Sequence, residues 1–262
     1  MRQNRLRERL RAGKPTLSTR IHSSWPSIAE IAGHTGVFDY VEFVAEYAPF
    51  DLFSLDNLCR AVELFDMSAM IKVDQEPRAF LAQRAIGAGF QSILFADCRT
   101  ADDVQRCVQV VRPETPEDGG VHGVGVRRAT YWGHAGSPEY VQALRDVVVA
   151  IMIEKGSAVK HVEEILAVPG VDMIQWGPVD YAMSVGRPGQ RSAPETKAVE
   201  RKVIQAALRA GIPPRAEIES PDAARYYLDL GVRHFSLGTD VSILYQWWKT
   251  NGEALHRALT GG

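Results

Sequence analysis

Charged side chains follow several short apolar segments of this chain, at the points where those segments end. In chain order these residues are Glu42, Glu46, Lys72, Asp74, Asp97, Glu154, Lys155, Asp180, Glu217, Glu219 and Asp240. Most of them are carboxylates, which repel one another when they are gathered in one place. A cation would supply the missing counter-charge, and two carboxylates completed by water and substrate oxygens suit Mg²⁺ or Mn²⁺. Glu154 and Asp180, which follow adjacent segments, are the preferred ligands.

The apolar segments have the composition of β-strands that are buried on both faces. Eight strands are predicted, over Thr16–Ile21, Tyr40–Ala45, Ala69–Val73, Ser92–Ala96, Val147–Ile153, Asp172–Gly177, Arg215–Ile218 and His234–Leu237. Segments of helical periodicity separate them, and Thr100 has the features of a helix N-cap. Eight alternating units predict a (β/α)8 barrel, with the charged residues that follow the strands around the C-terminal mouth, where active sites lie.

The length of 262 residues suits one barrel domain over residues 1–262. An Arg-rich helix over Arg2–Ala12 is predicted to precede the barrel as a solvated surface helix. A segment rich in glycine, proline and charge separates Val111 from Val147. Because long loops in compact domains are often functional, this segment is predicted to reach over the C-terminal face. The tandem Trp247–Trp248 after the last strand predicts internal packing, with an oligomer contact as the alternative.

Composition excludes several classes of function. The formal net charge of −2 gives no electrostatic footprint for nucleic acid. No apolar run reaches the roughly 18 residues that a membrane span needs, and the N-terminus lacks the apolar stretch of a secretory signal. The three cysteines have no metal-binding spacing and indicate reduced thiols in a cytoplasmic protein.

The segment MIEKGSAVKHVEEILAVPGVDMIQWGPVDYAMSVG, over Met152–Gly186, resembles the metal-site segment of the HpcH/HpaI aldolase family. The segments EYAPFDLFSLDNLCRAVE and SLGTD resemble other family motifs, in the family order. The resemblance implies a barrel in which Glu154 and Asp180 hold a divalent metal (Mg²⁺ or Mn²⁺, and Co²⁺ as a further option). It also implies a 2-oxo acid substrate such as pyruvate, bound through its carboxylate and keto oxygens, with Gly177, Pro178 and Val179 beside it.

The chain departs from this family pattern on the acid/base side of the site. The family histidine is replaced by Tyr47, its aspartate by Val44, and the arginine after strand three by Lys72. Lys72 keeps the positive charge but lacks the planar fork of arginine. We therefore expect Lys72 to stabilise the enolate oxygen and either Tyr47 or Asp97 to move protons. Two charged residues of the long segment, Arg127 and Arg128, are candidates to hold an anionic end of the substrate.

Three functions follow from this pattern. The first is a metal-dependent carbon–carbon lyase of the aldolase type, which joins or separates a 2-oxo acid and an aldehyde or second carbonyl compound. A condensing or decarboxylating enzyme acting on another oxo acid is a variant of it. The second is Schiff-base chemistry at Lys72 or Lys155, and the third is a non-catalytic oxo-acid-binding protein. The resemblance also implies a homo-oligomer, from dimer to hexamer, with exchanged C-terminal helices.

Overall fold

Eight parallel strands pair in chain order and close into a barrel in this computed structural model, which describes residues 1–260. The strands are β1 (Thr16–Ile21), β2 (Tyr40–Val44), β3 (Ser68–Val73), β4 (Ser92–Phe95), β5 (Val148–Ile153), β6 (Met173–Trp176), β7 (Pro214–Ile218) and β8 (His234–Thr239). Each lies within two residues of its predicted bounds, so the predicted barrel is confirmed. The alternation of apolar segments with segments of helical periodicity predicts these strands correctly, because helices cover the outer face of each strand.

Within residues 1–260, twelve α-helices surround the barrel or close its ends. They are α1 (Arg5–Arg11), α2 (Pro26–His34), α3 (Leu52–Val62), α4 (Arg78–Ala88), α5 (Ala101–Val111), α6 (Pro138–Arg145), α7 (Gly156–Lys160), α8 (Val162–Leu166), α9 (Pro178–Ser184), α10 (Pro194–Arg209), α11 (Ala224–Asp229) and α12 (Asp240–Thr260). Short 3-10 helices lie at Arg128–Thr130 and Pro221–Ala223. The predicted N-cap is confirmed, because Thr100 forms a capping box with Asp103 at the start of α5.

The N-terminal helix α1 closes the bottom of the barrel instead of lying free on the surface. Leu6 is fully buried and joins an apolar cluster inside the barrel with Tyr40, Met70 and Met173. On the same helix, Arg7 forms an ion pair with Asp172 and donates to main-chain carbonyls before β5. The prediction of a solvated helix was wrong because these arginines are partners of groups at the barrel bottom.

The long segment between α5 and α6 lies at the N-terminal end of the barrel, so its predicted position over the C-terminal face was wrong. Arg112 donates to the carbonyl oxygens of Leu144 and Val147, just before β5 begins. Farther along, Arg128 forms an ion pair with Glu63 beyond the end of α3. Helix α5 runs antiparallel to the strands, so the chain that leaves it emerges at their N-terminal end.

The C-terminal helix α12 carries apolar side chains that the rest of residues 1–260 leaves exposed. Trp247 is 64% exposed and Trp248 is 62% exposed, and Ile243, Tyr245 and Leu255 are exposed as well. The preferred prediction, internal packing of the tryptophan pair, was therefore wrong. None of the helices described for residues 1–260 combines the length and apolar character needed to cross a membrane.

Acid is expected to destabilise the fold through a buried histidine at the bottom of the barrel. His234 is buried beside Thr16, whose hydroxyl lies 2.9 Å from Nδ1, and burial lowers its pKa to about 4. Unfolding restores an ordinary pKa of about 6.5, so the unfolded chain takes up a proton first as the pH falls. The free energy of unfolding should therefore fall between pH 6.5 and 4, by up to about 3 kcal/mol from this group.

Urea denaturation at several pH values measures this loss. His234→Gln should reduce the slope between pH 6.5 and 4 without removing it, because burial also lowers the pKa of His122 to about 4. His256→Gln on the exposed part of α12 should leave the slope unchanged. Equal slopes for all three proteins would contradict the assignment.

Candidate active site

Two carboxylates lie on adjacent elements at the C-terminal mouth of the barrel. Glu154 is the residue after β5, and its side chain is almost fully buried. Asp180 lies in the first turn of α9, two residues after the Pro178 that begins this helix beyond β6. Burial raises the pKa of Glu154 above its ordinary value, and the negative charge of Asp180 raises it further. The two groups are therefore close enough to repel each other, as the sequence predicts.

Gly177 leaves the space that the Glu154 carboxylate occupies. A Cβ atom added at Gly177 would lie 2.5 Å from Cβ and 2.7 Å from Oε2 of Glu154. The other carboxylate oxygen, Oε1, accepts a hydrogen bond of 2.8 Å from the main-chain nitrogen of Asp97. The hydrogen bond thus fixes the orientation of the carboxylate, and the lack of a side chain at Gly177 leaves room for it.

An ammonium group supplies counter-charge to the second carboxylate. Lys155 Nζ lies 2.5 Å from Asp97 Oδ1 and 2.9 Å from Asp180 Oδ1. Burial opposes the charged form of Lys155, but the hydrogen bonds to Asp97 and Asp180 dominate and raise its pKa. Lys155 is therefore charged at neutral pH and holds Asp97 and Asp180 near each other.

These groups fit a divalent cation of the hard, oxygen-preferring kind. Within residues 1–260, no three His, Cys, Asp or Glu side chains surround one possible metal position. Glu154 and Asp180 would hold such an ion with two carboxylates, leaving the other coordination positions to water and substrate oxygens. This is the usual arrangement for Mg²⁺, which keeps several waters and takes one or two carboxylates.

A second charged cluster stands beside Glu154. Lys72 Nζ lies 2.5 Å from Glu46 Oε2 and donates to the Tyr47 hydroxyl over 3.4 Å. Burial opposes the charge on Lys72, but Glu154 and Glu46 outweigh it and raise the pKa. Burial also raises the pKa of Tyr47, so its hydroxyl carries a proton at neutral pH. The cluster therefore presents a fixed positive charge and a phenolic proton donor side by side.

The structure brings together most of the predicted site residues. Lys72, Tyr47, Asp97, Glu154 and Asp180 lie at the mouth, and the turn Gly177, Pro178 and Val179 adjoins Glu154. This grouping agrees with the rule that the residues at strand ends form the site of a barrel.

Two predicted substrate-binding residues do not belong to this group. Arg128 donates to the carbonyl of Ala88 at the end of α4 and pairs with Glu63, and Arg127 lies against Gly87. Both line a cleft of about 970 Å³ at the N-terminal end of the barrel. Within the chain they are therefore separated from the mouth by the strands.

Other residues of the mouth were not proposed as site residues from the sequence. Arg20 in β1 and Glu217 in β7 form an ion pair, and Glu42 and Arg215 form another in the barrel interior. His22, just after β1, packs edge-to-face against Tyr47 with ring centroids 5.9 Å apart. Glu42 and Glu217 were noted only as acids near strand ends. Their basic partners are on distant segments, so no local spacing indicates the pairs.

Comparisons with known proteins agree with this fold. A family model described as HpcH/HpaI aldolase/citrate lyase matches residues 21–246. The barrel and its paired carboxylates define the class, an α/β-barrel lyase. The chain belongs to the HpcH/HpaI aldolase/citrate lyase family.

Individual relatives cover almost the whole chain. A hydroxypyruvate/pyruvate aldolase of Delftia acidovorans is 29% identical over 249 residues, covering 93% of this chain and 89% of the relative. A 4-hydroxy-2-oxo-heptane-1,7-dioate aldolase of Shigella flexneri is 27% identical, covering 92% and 89%. The crystal structure of a family protein from Burkholderia cenocepacia J2315 superposes with a TM-score of 0.88 at 29% identity, covering 97% of this chain and all of that one.

Proposed function

We propose that this protein is a divalent-metal-dependent aldolase, which forms or breaks a carbon–carbon bond next to the keto group of a 2-oxo acid such as pyruvate. The other substrate is an aldehyde. The observation that carries the proposal is the pair Glu154 and Asp180 at the mouth, with the charged Lys72 beside Glu154. The aldolase names of the two relatives support the reaction type.

Each group at the mouth has a distinct part in this reaction. Glu154 and Asp180 would hold a Mg²⁺ or Mn²⁺ ion, or Co²⁺ as a further option, which would supply Lewis acidity towards the oxo acid. Lys72 donates to the keto oxygen and stabilises the negative charge that this oxygen gains as the enolate forms. Glu46 holds the ammonium in place through its ion pair. The turn Gly177–Val179 borders the oxo-acid carboxylate.

Proton transfer falls to the protein side chains near Lys72. Tyr47 keeps its proton at neutral pH, so it relays one proton: in cleavage it delivers a proton to the enolate carbon and regains the one that the substrate hydroxyl releases as it becomes the aldehyde carbonyl. In condensation the same transfer runs in reverse. Asp97 was the other candidate. Its main chain donates to Glu154 and its carboxylate pairs with Lys155, so we assign it to positioning these two groups.

The Schiff-base alternative is disfavoured by the charges around both lysines. A lysine nucleophile must lose its proton, which requires a lowered pKa. Carboxylates raise the pKa of Lys72 and of Lys155 instead. The same groups would serve a condensing or decarboxylating reaction on another oxo acid, or binding without turnover. The next experiment separates these alternatives from aldol chemistry.

Proton NMR of pyruvate in heavy water tests the proposed function. The methyl protons should exchange in the presence of protein with Mg²⁺ or Mn²⁺, and excess chelator should stop the exchange. Exchange that continues in chelated protein would overturn metal dependence. Binding of metal without any exchange would favour another oxo acid or the binding-protein alternative.

We also propose that the protein is a homo-oligomer in which α12 packs against another copy of the chain. The exposed apolar residues of α12 are the support, since contiguous exposed apolar surface marks interaction sites. Cytoplasmic location stays a prediction from the cysteine content.

Replacing the tryptophan pair is expected to weaken this assembly. Trp247→Ser combined with Trp248→Ser should shift the molar mass measured by light scattering towards the monomer, because large aromatic residues dominate interface energy. Lys249→Ser on the same helix is the control, and its mass should match that of the unmodified protein. A monomer before any substitution, or an unchanged mass in the double variant, would contradict the interface.

A further inference from the structure

Four side chains form one layer at the top of the barrel interior. Arg20, Lys72, Met152 and Glu217 are each the second-last residue of their strand, on β1, β3, β5 and β7. In a closed eight-stranded barrel, alternate strands contribute their inward side chains to a common layer. This layer is the floor of the mouth.

The floor has two chemically different halves. Lys72 and Met152 belong to β3 and β5, the half that also holds Glu154. Arg20 and Glu217 belong to β1 and β7, on either side of β8, and form an ion pair between Nη1 and Oε1. None of the groups assigned above to the oxo-acid chemistry belongs to the strands of this half.

Buried groups hold the Arg20–Glu217 pair from below. Gln175 Nε2 donates to Glu217 Oε2 over 3.2 Å, and Arg215 in turn donates to Gln175. Glu42 Oε1 lies 3.9 Å from Arg20 Nε and pairs on its other side with Arg215. Together the two arginines and two glutamates carry no net charge.

Stability does not account for this network. Ion pairs in a barrel interior lose hydration that their attraction seldom restores, so apolar residues would serve the fold at least as well. The pair is also not sealed, because the Glu217 side chain is 32% exposed and that of Arg20 is 10% exposed. A charged pair held in place from below and open above has the features of a binding surface.

We propose that Arg20 and Glu217 bind the hydroxyl groups of a neutral, hydroxylated aldehyde, the second substrate of the proposed aldolase reaction. A hydroxyl donates to the Glu217 carboxylate and accepts from the Arg20 guanidinium, so both charged groups gain a partner. An alkyl chain would displace the water bound to both charged groups and would form no hydrogen bonds in its place. Glu217 would repel an aldehyde that carries a carboxylate, because both groups are negatively charged. The charge of Arg20 is already neutralised by its ion pair and would not compensate. This inference rests on the proposed function and specifies the chemical class of the aldehyde in that reaction.

The test compares three aldehydes of similar size in the metal-loaded protein with pyruvate: glyceraldehyde, propionaldehyde and succinic semialdehyde. We expect kcat/KM to be at least about tenfold higher for glyceraldehyde than for the other two, because a lost charged hydrogen bond costs about that factor or more. Glu217→Gln and the double variant Arg20→Met with Glu217→Met should each lose this preference. Both should retain metal-dependent exchange of pyruvate methyl protons, which reports the other half of the floor.

Glu219→Gln, just beyond β7 and exposed, is the matched control and should keep the preference. The double variant removes both charges together, so it leaves no buried charge unpaired and guards against a folding defect in the single one. A preference for succinic semialdehyde or propionaldehyde, or a glyceraldehyde preference that survives in both variants, would overturn the acceptor site while pyruvate exchange stands. Absence of exchange in the unmodified protein would overturn the proposed function, and this subsite with it.

Discussion

Glu154→Gln is expected to abolish both tight metal binding and turnover. The amide has nearly the same shape as the carboxylate but lacks its charge, so one of two protein ligands becomes weak. Because the proposed metal ion would contribute several kcal/mol to stabilising the enolate, kcat/KM should fall by roughly 10³-fold or more. Titration calorimetry with Mn²⁺ and a steady-state assay of pyruvate aldol cleavage or condensation measure the two losses.

Glu163→Gln is the matched control for this substitution. Glu163 lies on α8 with its side chain 70% exposed in a surface pair with Arg209, away from the mouth. The control should bind Mn²⁺ and turn over as the unmodified protein does. Full activity of Glu154→Gln, with metal affinity unchanged, would remove Glu154 from the metal site.

Lys72→Met should lower kcat by roughly 10²- to 10³-fold, the usual cost of removing one donor to a developing oxyanion. The methionine fills most of the space of the lysine stem but provides no charge. Since the ammonium acts on charge that develops in the transition state, kcat should fall more than KM rises. The rate of pyruvate methyl exchange should fall with kcat, because both require the enolate.

Metal affinity separates this effect from a general collapse of the site. Lys72 also offsets the charges of Glu46 and Glu154, so the variant should bind Mn²⁺ at least as well as the unmodified protein. Lys160→Met on the exposed end of α7 serves as the matched control. Unchanged exchange in Lys72→Met would reassign the stabilisation of the enolate to another group.

The barrel and half of its site can be predicted from the sequence, because they depend on the local pattern of apolar and polar residues. Continuous apolar segments separated by helical periodicity lead to strands covered on both sides, and the closed barrel gathers whatever follows those strands. Glu154, Asp180 and Lys72 could therefore be placed at one mouth from the sequence. The role of Tyr47 depended on resemblance, since a lone tyrosine after a strand indicates little by itself.

The error over Arg127 and Arg128 came from composition. Glycine, proline and charge marked the segment after Val111 as a functional loop, and this gave it a place at the mouth. The direction of the preceding helix decides otherwise, because a helix that follows a strand returns to the strand's N-terminal end. The tryptophans of α12 show a different limit, since their apolar character predicted burial but residues 1–260 leave both of them exposed.

The sequence was sufficient for the fold class, which depends on residue types at short, regular spacing, and for the family, which depends on the resemblance of its motifs. It also led to the proposal of Glu154 and Asp180 as metal ligands. Only the tertiary structure decided that Glu46 pairs with Lys72 and that Arg20 pairs with Glu217. Barrel closure brings β1 and β7 to either side of β8, although most of the chain separates them. Ion pairs between residues that are far apart in sequence produce no periodic pattern. Their partners can therefore be identified only from the arrangement of the strands in the folded barrel.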